Sequence, residues 1–424
     1  MLVRRFVLKK FIPSFFECMK EYSKAQFIKD IIAGIIVAII ALPLSIALAI
    51  ASGVGPEVGL YTAIVAGFLI SLLGGSRVQI AGPTAAFAGI VAGIVMEKGM
   101  NGLVIATLMA GAILVLMGLF RLGGLIRFIP QSITVGFTGG IAVTILIGQI
   151  KDFLGLTFKN SPVETVEKVE EIAATFGTAN LSALAVGVLS LVILILVPKF
   201  LPRVPASLIA VIIMALAVEL LNLDVNTIGS LYPDMPTTLP KFALPDFKGV
   251  DIAGLIPDAV TIAVLAAVES LLSCVVADKM VGAKHNSNME LVAQGVGNVG
   301  SALFGGIPAT GAIARTAANV KNGGRTPVAG MVHAIMLFGV LAVFMPYAKL
   351  IPMPTIAAIL FMVAYNMSEW REFVKIIKER CPLDILVLVL TFALTVIFDL
   401  VVAIAVGLAV HYALVLTKKL IKRN

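Results

Sequence analysis

Long apolar segments follow one another along the chain, separated by short polar or charged stretches. A membrane-spanning helix needs about 20 mainly apolar residues. These segments are continuous and rich in Leu, Ile, Val, Ala and Gly, without the alternation of lipid-facing barrel strands. The pattern predicts an all-α membrane protein with 14 spans, although Gly and Pro interruptions would also fit 12. The predicted spans lie near 29–50, 57–74, 78–97, 101–120, 129–150, 180–198, 206–222, 252–278, 289–304, 308–320, 327–347, 352–365, 382–398 and 399–417.

The composition narrows the function classes. Of 424 residues, 59% are hydrophobic and only 13% are charged, whereas a soluble domain has about a quarter charged residues. A soluble enzyme or a secreted module is therefore excluded. The three cysteines and three histidines are scattered, so neither a disulfide framework nor a metal centre is expected. Because no workable set of catalytic residues occurs, we expect no enzyme activity and no cofactor.

Charge at the ends of the apolar segments predicts the orientation in the membrane. The N-terminal segment is basic, with Arg4, Arg5 and five lysines, and the chain ends on basic residues that include Arg423. Positive charge favours the cytoplasmic side, so both termini are expected there, which requires an even number of spans. The acid-rich segments 151–178 and 223–251 then fall outside. The net charge of +8 is thus explained by orientation in an inner (plasma) membrane, and no nucleic-acid partner is expected. The basic N-terminal segment lacks the pattern of a cleavable signal peptide, so none is expected.

The predicted spans divide into two halves. Each half has seven spans, and an odd number forces the halves into opposite orientations, which is the inverted-repeat plan of secondary transporters. The predicted parts are a cytoplasmic segment 1–28, a first repeat 29–222, an extracellular linker 223–251, a second repeat 252–417 and a cytoplasmic tail 418–424.

Two interrupted segments occupy matching places in the halves. Residues 78–86 and 304–312 each contain small residues, a proline and hydroxyl residues before an apolar run. Since proline suits the first turn of a helix, Pro83 and Pro308 are each expected there, after a short extended piece. The third and tenth spans would then be half-helices that begin inside the membrane. Their unpaired N–H groups and positive dipole ends would form an anion site facing a polar cavity.

Arg315 is a charged residue inside the second half-helix. It follows Pro308 by seven residues, which places it about 10 Å along the axis from the expected helix start. A buried arginine costs free energy unless it faces water or a partner. The functional interpretation is that Arg315 adds positive potential to the anion cavity. The alternative is that its side chain reaches the cytoplasmic end near Lys321.

Glu269 is an acidic residue inside the eighth span, and Ser273 lies one turn later on the same face. Burial away from water favours the protonated form of a carboxyl group, so Glu269 could carry a coupling proton. Glu269 and Ser273 could instead hold a sodium ion, and a permanent Glu269–Arg315 pair that only braces the helices is a further alternative. Four polar residues near the next helix are expected to cap helices and brace loops: His285, Asn288, Glu290 and Asn298.

An ordered set of motifs resembles the SulP family, the sulfate permease group that includes bicarbonate transporters and prestin. The resemblance covers essentially the whole chain. The motifs are Asp30 with Leu42-Pro43, Gly53-Val54-Gly55-Pro56 with Gly59-Leu60-Tyr61, Gly74-Gly75-Ser76 with Gly82-Pro83-Thr84-Ala85, Asn288-x-Glu290-Leu291-x-Ala293-x-Gly295-x-x-Asn298, and Pro308 to Thr316 with Gly323-Gly324-Arg325-Thr326.

The resemblance implies a seven-plus-seven inverted repeat in which a core domain (spans 1–4 and 8–11) moves against a gate domain (spans 5–7 and 12–14). It also implies an anion site between the third and tenth spans, with cation coupling in the eighth span at Glu269 and Ser273. The implied substrate-binding residues are Leu44, Leu48, Thr84, Ala85, Gly311, Ala312, Ile313, Ala314 and Arg315.

The chain departs from the family pattern in two ways. SulP proteins normally end in a cytoplasmic STAS domain, whereas this sequence stops directly after the last predicted span, either naturally or because the chain was cut. Ala312 and Ala314 stand where some relatives carry serines, which leaves fewer hydroxyl donors for sulfate.

The resulting prediction is an elevator-type secondary transporter of a small anion (sulfate, bicarbonate or a dicarboxylate), coupled to protons through Glu269. The alternatives are a sodium-coupled bicarbonate symporter and an uncoupled exchanger or channel. A nucleobase permease is disfavoured, because Arg315 argues against a neutral substrate. The expected partners are the anion and the lipid bilayer. The sequence does not determine the oligomeric state, which could be a monomer or a homodimer.

Overall fold

The computed structural model is mostly helical and describes residues 11–160, 162, 164–201, 204–233, 238–379, 381–398 and 400–421. The basic residues Arg4, Arg5 and Arg423 lie outside the described residues. The first half contains α1 (Ser14–Cys18), α2 (Lys24–Ala51), α3 (Pro56–Leu73), strand β1 (Ala81–Gly82), α4 (Ala88–Leu119), α5 (Gln131–Leu154), α6 (Thr165–Thr175), α7 (Leu181–Phe200), α8 (Ala206–Leu220) and α9 (Ile228–Leu231). The second half contains α10 (Ile252–Val281), α11 (Ser287–Leu303), strand β2 (Thr310–Gly311), α12 (Ile313–Lys321), α13 (Val328–Ala348), α14 (Met353–Met367), α15 (Trp370–Lys378), α16 (Pro382–Ile397) and α17 (Leu400–Ile421).

Seven of the described helices are long and apolar enough to cross a membrane, judged by length and composition. They are α2, α3, α4 with the turn before it, α5, α7, α10 and α13. Three shorter apolar helices lie within α8, α16 and α17. The prediction of a mostly helical chain with membrane-spanning character is therefore confirmed.

Helix α4 consists of two helices joined at Gly99. The backbone of Gly99 has φ 68° and ψ 177°, which interrupts the helix. Glycine adopts a positive φ without steric cost because it has no Cβ atom. Beside the interruption, the ammonium of Lys98 forms an ion pair with Asp258 of α10. The interruption falls between the predicted segments 78–97 and 101–120.

The long helices pack as two groups. In the first group (α2, α3, α4 and α10 to α13), α4 packs against α10 and α11, and α13 packs against α2 and α3. In the second group (α5, α7, α8, α14, α16 and α17), α5 packs against α14 and α16, and α7 packs against α8 and α14. The groups meet mainly where α2 lies against α8 and α14. Most helix contacts therefore lie within a group, although one hydrophobic core includes residues of both groups.

Two extended segments lead into helices within the first group. Strand β1 pairs with β2 in antiparallel orientation, with Ala81 opposite Gly311. The N–H of Ala312 also donates to the carbonyl oxygen of Ile80 at 2.9 Å. These bonds satisfy buried backbone groups that would otherwise be costly to bury.

The two prolines occupy different positions relative to the helices that follow. Pro83 directly precedes Thr84, the N-cap of a short 3₁₀ turn that leads into α4. Pro308 lies four residues before Ala312, the N-cap of α12. The placement of Pro83 and Pro308 in the first helical turn was therefore wrong. The N–H groups on both sides of Pro308 bond to side chains, and proline has no N–H of its own to satisfy in this buried segment.

Candidate functional site

Both interior helices begin without a side-chain cap. Thr84 precedes the 3₁₀ turn Ala85–Phe87, Ala312 precedes α12, and neither N-cap side chain bonds to the first turn. Unpaired N–H groups and aligned peptide dipoles make a helix N-terminus electropositive. Each start lies within three residues of the paired strands. The pairing of β1 with β2 therefore holds two positive helix ends in one interior region, where they can attract an anion.

Glu290 of α11 anchors the chain before β1. Its buried carboxylate accepts hydrogen bonds from the backbone N–H groups of Gly75 at 2.9 Å and Ser76 at 3.0 Å. The same carboxylate accepts from the side-chain amides of Gln79 at 2.9 Å and Gln294 at 2.8 Å. Glu290 thus braces the extended segment, which is the kind of role expected from the sequence.

We predict that Glu290→Ala destabilises the protein by about 3–5 kcal/mol, because four buried donors lose their acceptor. Glu290→Gln is also expected to be destabilising, since its amide group faces donors. Thermal unfolding of the detergent-purified protein measures both effects. Glu97→Ala, which removes an exposed carboxylate, is the matched control, and equal unfolding temperatures for Glu290→Ala and this control would contradict the bracing role.

A second set of polar contacts holds the chain before β2. The Asn298 side chain accepts from the N–H of Ala309 at 2.8 Å and donates to its carbonyl at 2.9 Å. Thr62 accepts from the N–H of Ile307 at 2.8 Å, and Ser301 donates to the Ile307 carbonyl at 2.7 Å. Sequence reasoning named Asn298 but missed Thr62 and Ser301, because hydroxyl groups in helices commonly bond to their own backbone.

Hydroxyl groups of the second half also hold both strands in place. The Ser270 hydroxyl lies 2.6 Å from that of Thr310 and accepts from the N–H of Gly311 at 3.0 Å. The Thr316 hydroxyl accepts from the N–H of Ile80 at 3.0 Å. The two segments before the helix starts are therefore held by α10 and α12 as well as by each other.

Arg315 is the third residue of α12 and is only 2% exposed. Its Nη2 donates to the carbonyl oxygen of Pro83, so the guanidinium reaches across to the other extended segment. Arg315 therefore lies about 3 Å along the axis from the helix start, rather than about 10 Å. The difference arises because α12 begins at Ile313, five residues after Pro308. Burial also excludes the alternative in which the side chain reaches the cytoplasmic end near Lys321.

The guanidinium of Arg315 has free hydrogen-bonding capacity. Among the described residues, its Nε and Nη1 atoms have no hydrogen-bond partner, and no carboxylate lies within the 4.0 Å of an ion pair. A buried cation without a counter-charge is costly. An anion placed near the helix starts would offset that cost.

Glu269 is 8% exposed and accepts a hydrogen bond from the Thr84 hydroxyl at 3.0 Å. The carboxyl group therefore lies at the first helix start. A permanent Glu269–Arg315 ion pair is absent from the described structure. The Ser273 hydroxyl points to Thr316, at 3.4 Å. The structure thus brings Glu269 to the site, whereas Ser273 bonds to another neighbour.

The other predicted residues of the second extended segment lie at the start of α12. Gly311 and Ala312 are buried, whereas Ile313 and Ala314 are exposed. A Cβ atom on Gly311 would lie only 2.0 Å from Nε2 of Gln79, so glycine is required for this close approach. The first two residues of α12 are therefore accessible, whereas the segment before them is buried.

The predicted residues of α2 serve packing in this structure. Leu48 is 2% exposed within the main hydrophobic core, and Leu44 packs against that core. Neither lines the cavity beside Ala85. Apolar neighbours cover Leu48 in this structure, and the substrate contacts of Leu44 and Leu48 stay a prediction.

A cavity of about 220 Å³ opens between the two helix groups beside the first helix start. The first group contributes the end of α2 and the start of α4, and the second contributes α5 and the end of α16. Helix α6 lies at the same cavity. The lining includes Ala51, Ala85, Ala86, Gly89, Gln149, Thr395, Glu164 and Lys168.

A helical membrane fold that holds a buried arginine beside two helix N-termini is typical of proteins that transport anions. Comparison with known proteins gives the family. The sequence profile of the Sulfate permease family matches residues 27–391, and the chain belongs to this family. The resemblance identified from the motifs is therefore confirmed.

Individual relatives cover most of the chain. The Putative sulfate transporter YvdB of Bacillus subtilis (strain 168) is 47% identical over 93% of this chain and 74% of its own length. The Bicarbonate transporter BicA of Picosynechococcus is 31% identical over 85% of this chain and 65% of its own length. The chain therefore spans about two thirds to three quarters of these relatives.

Solved structures share the fold. The transmembrane domain of a cyanobacterial bicarbonate transporter BicA superposes with a TM-score of 0.80 at 29% identity, covering 90% of this chain and 98% of that chain. The murine Solute Carrier 26 family member A9 anion transporter, in its inward-facing state, gives a TM-score of 0.86 at 18% identity over 98% of this chain and 72% of that chain. The second likeness concerns the fold alone.

Proposed function

We propose that the protein is a secondary active transporter of a small inorganic or carboxylate anion, with sulfate, bicarbonate and dicarboxylates as candidates. The observation that carries this proposal is the buried guanidinium of Arg315, which lies beside two uncapped helix starts and lacks a carboxylate partner among the described residues. Fixed positive charge and free N–H groups match the needs of a small anion. The sulfate and bicarbonate transport named for the relatives supports the same substrate class.

We propose a 14-span inverted repeat, with halves 29–222 and 252–417. The spans are α2, α3, the two parts of α4, α5, α7 and α8, followed by α10 to α14, α16 and α17. The packing supports this proposal. Moving each span by seven positions exchanges the first half with the second and reproduces the same pairs of contacting helices. Helix α2 packs on α13 as α10 packs on α4, and α5 packs on α16 as α14 packs on α7. Such an exchange is expected from a pseudo-twofold axis in the membrane plane.

The proposed transport movement is an elevator-type motion of the first helix group, as the core, against the second, as the gate. Both helix starts, Arg315 and Glu269 belong to the core group, so the anion would travel with it. The cavity between the groups beside Ala85 supports this division. The proposed orientation keeps both termini in the cytoplasm of a cell with the protein in its inner (plasma) membrane.

The proposed coupling ion is a proton carried by Glu269. The single hydrogen bond from Thr84 places this carboxyl group at the anion site without a permanent counter-ion. Protonation would remove its negative charge and so favour an anion nearby. Sodium coupling through Glu269 and Ser273 has less support, since the Ser273 hydroxyl bonds to Thr316.

An uptake panel in proteoliposomes tests the proposal. Radiolabelled sulfate, bicarbonate and a dicarboxylate are each supplied with imposed proton and sodium gradients. We expect concentrative uptake of one of these anions driven by an inward proton gradient. Dependence on sodium at fixed pH would instead establish the symport alternative. Currents that carry far more ions per second than an alternating-access cycle allows would establish a channel. The absence of transport of all three anions would overturn the proposed substrate class.

A further inference from the structure

Helix α6 places one cation at the cavity between the helix groups. Among the described lining residues, Lys168 is the one basic side chain, and Ala85 and Ala86 of the first helix start line the same cavity. Helix α6 packs against α5 and α16 and lies outside the candidate spans. The cavity therefore connects a helix outside the candidate spans with the helix start at Ala85.

Lys168 is partly withdrawn from water without a counter-charge. Its side chain is half-buried, and burial lowers the pKa of the ammonium group below its usual value. No hydrogen bond or ion pair of the described residues involves its Nζ atom. Glu164, the N-cap residue just before α6, lines the cavity too but is exposed, so solvent screens its charge more strongly.

We propose that Lys168 forms an outer capture site for the transported anion, where the anion binds before it reaches the helix start at Ala85. The inference rests on the proposed function and adds a residue that nothing in the family motifs identifies. A cation at the end of a cavity with low-dielectric walls raises the local concentration of anions. Glu164 opposes this attraction, so the two side chains should have effects of opposite sign.

The test is the concentration dependence of initial uptake in cells that express the full chain. The probe is ³⁵S-sulfate, or ¹⁴C-bicarbonate where the wild-type protein carries bicarbonate and not sulfate. We expect Lys168→Gln to raise KM about threefold to tenfold with little change in the maximal rate. Lys168→Arg should restore a KM close to wild type, and Glu164→Gln should lower KM. In proteoliposomes, the difference between wild type and Lys168→Gln should shrink at high ionic strength.

Lys159→Gln is the matched control, because Lys159 is an exposed lysine just before the same helix and does not line the cavity. Its KM should equal that of wild type. An unchanged KM in Lys168→Gln, or an equal loss of maximal rate in Lys168→Gln and Lys168→Arg, would overturn the capture site alone. Wild-type protein that carries none of the candidate anions would overturn the proposed function instead, so the two failures are distinguishable.

Discussion

Replacing Arg315 with alanine is expected to weaken anion binding about 30- to 150-fold and to lower transport at limiting substrate in proportion. The guanidinium lies in the first turn of α12, buried and bonded to the carbonyl of Pro83. A unit charge close to a bound anion contributes about 2–3 kcal/mol at the effective dielectric of a protein interior. Arg315→Lys should retain part of the affinity, because it keeps the charge and loses the planar donor arrangement.

Binding titrations with the purified protein and initial uptake rates measure this effect. Lys321→Ala is the matched control, since it removes an exposed cation from the last turn of the same helix. Thermal unfolding of each variant separates lost affinity from lost folding. An Arg315→Ala variant that unfolds at the wild-type temperature and binds the anion with wild-type affinity would refute the electropositive site.

The helical content and the positions of the two extended segments could be predicted from the sequence, because both follow from local patterns. Continuous apolar segments predict helices, and the Gly-Pro interruptions at 78–86 and 304–312 mark backbone that leaves the helical path. Arg315 and Glu269 were recognisable because a charge inside an apolar segment needs a reason. Each of these signals lies within a few neighbouring residues.

The register of the two extended segments could not be predicted, because contacts between distant parts of the chain determine it. The pairing of Ala81 with Gly311 depends on bonds from Asn298, Ser270 and Thr316. Those same bonds move the start of α12 beyond Pro308, which is why Arg315 lies nearer the helix end than the sequence suggested.

Lys168 was missed for a different reason. The segment 151–178 is acid-rich, and its composition indicates only an extracellular position. A single lysine among glutamates gives no local signal of a cavity. Only the packing of α6 over the space between α5 and α16 shows that this lysine shares a cavity with Ala85.

The second large effect is expected for Glu269→Gln, which should abolish the stimulation of uptake by an acidic exterior. In the proposed mechanism, a proton bound at Glu269 would cancel a negative charge at the first helix start and so strengthen anion binding on the acidic side. Loss of the proton on the neutral side would weaken binding and release the anion. Each coupled proton supports about tenfold accumulation per unit of pH difference. Glutamine cannot release a proton, yet its side-chain oxygen can still accept from Thr84.

Uptake by Glu269→Gln should therefore be nearly independent of external pH and limited to equilibration of the anion. Asp258→Asn is the matched control, because it removes a carboxylate from the first two turns of the same helix, where Asp258 pairs with Lys98. This control should keep the wild-type pH dependence. If Glu269→Gln retained proton-driven accumulation, the coupling proton would have to bind elsewhere. If it lost sodium-driven accumulation instead, Glu269 would be a sodium ligand. The distinction matters physically, because a proton needs one carboxyl group at the anion site, whereas sodium needs several oxygen ligands, and the Ser273 hydroxyl is directed to Thr316.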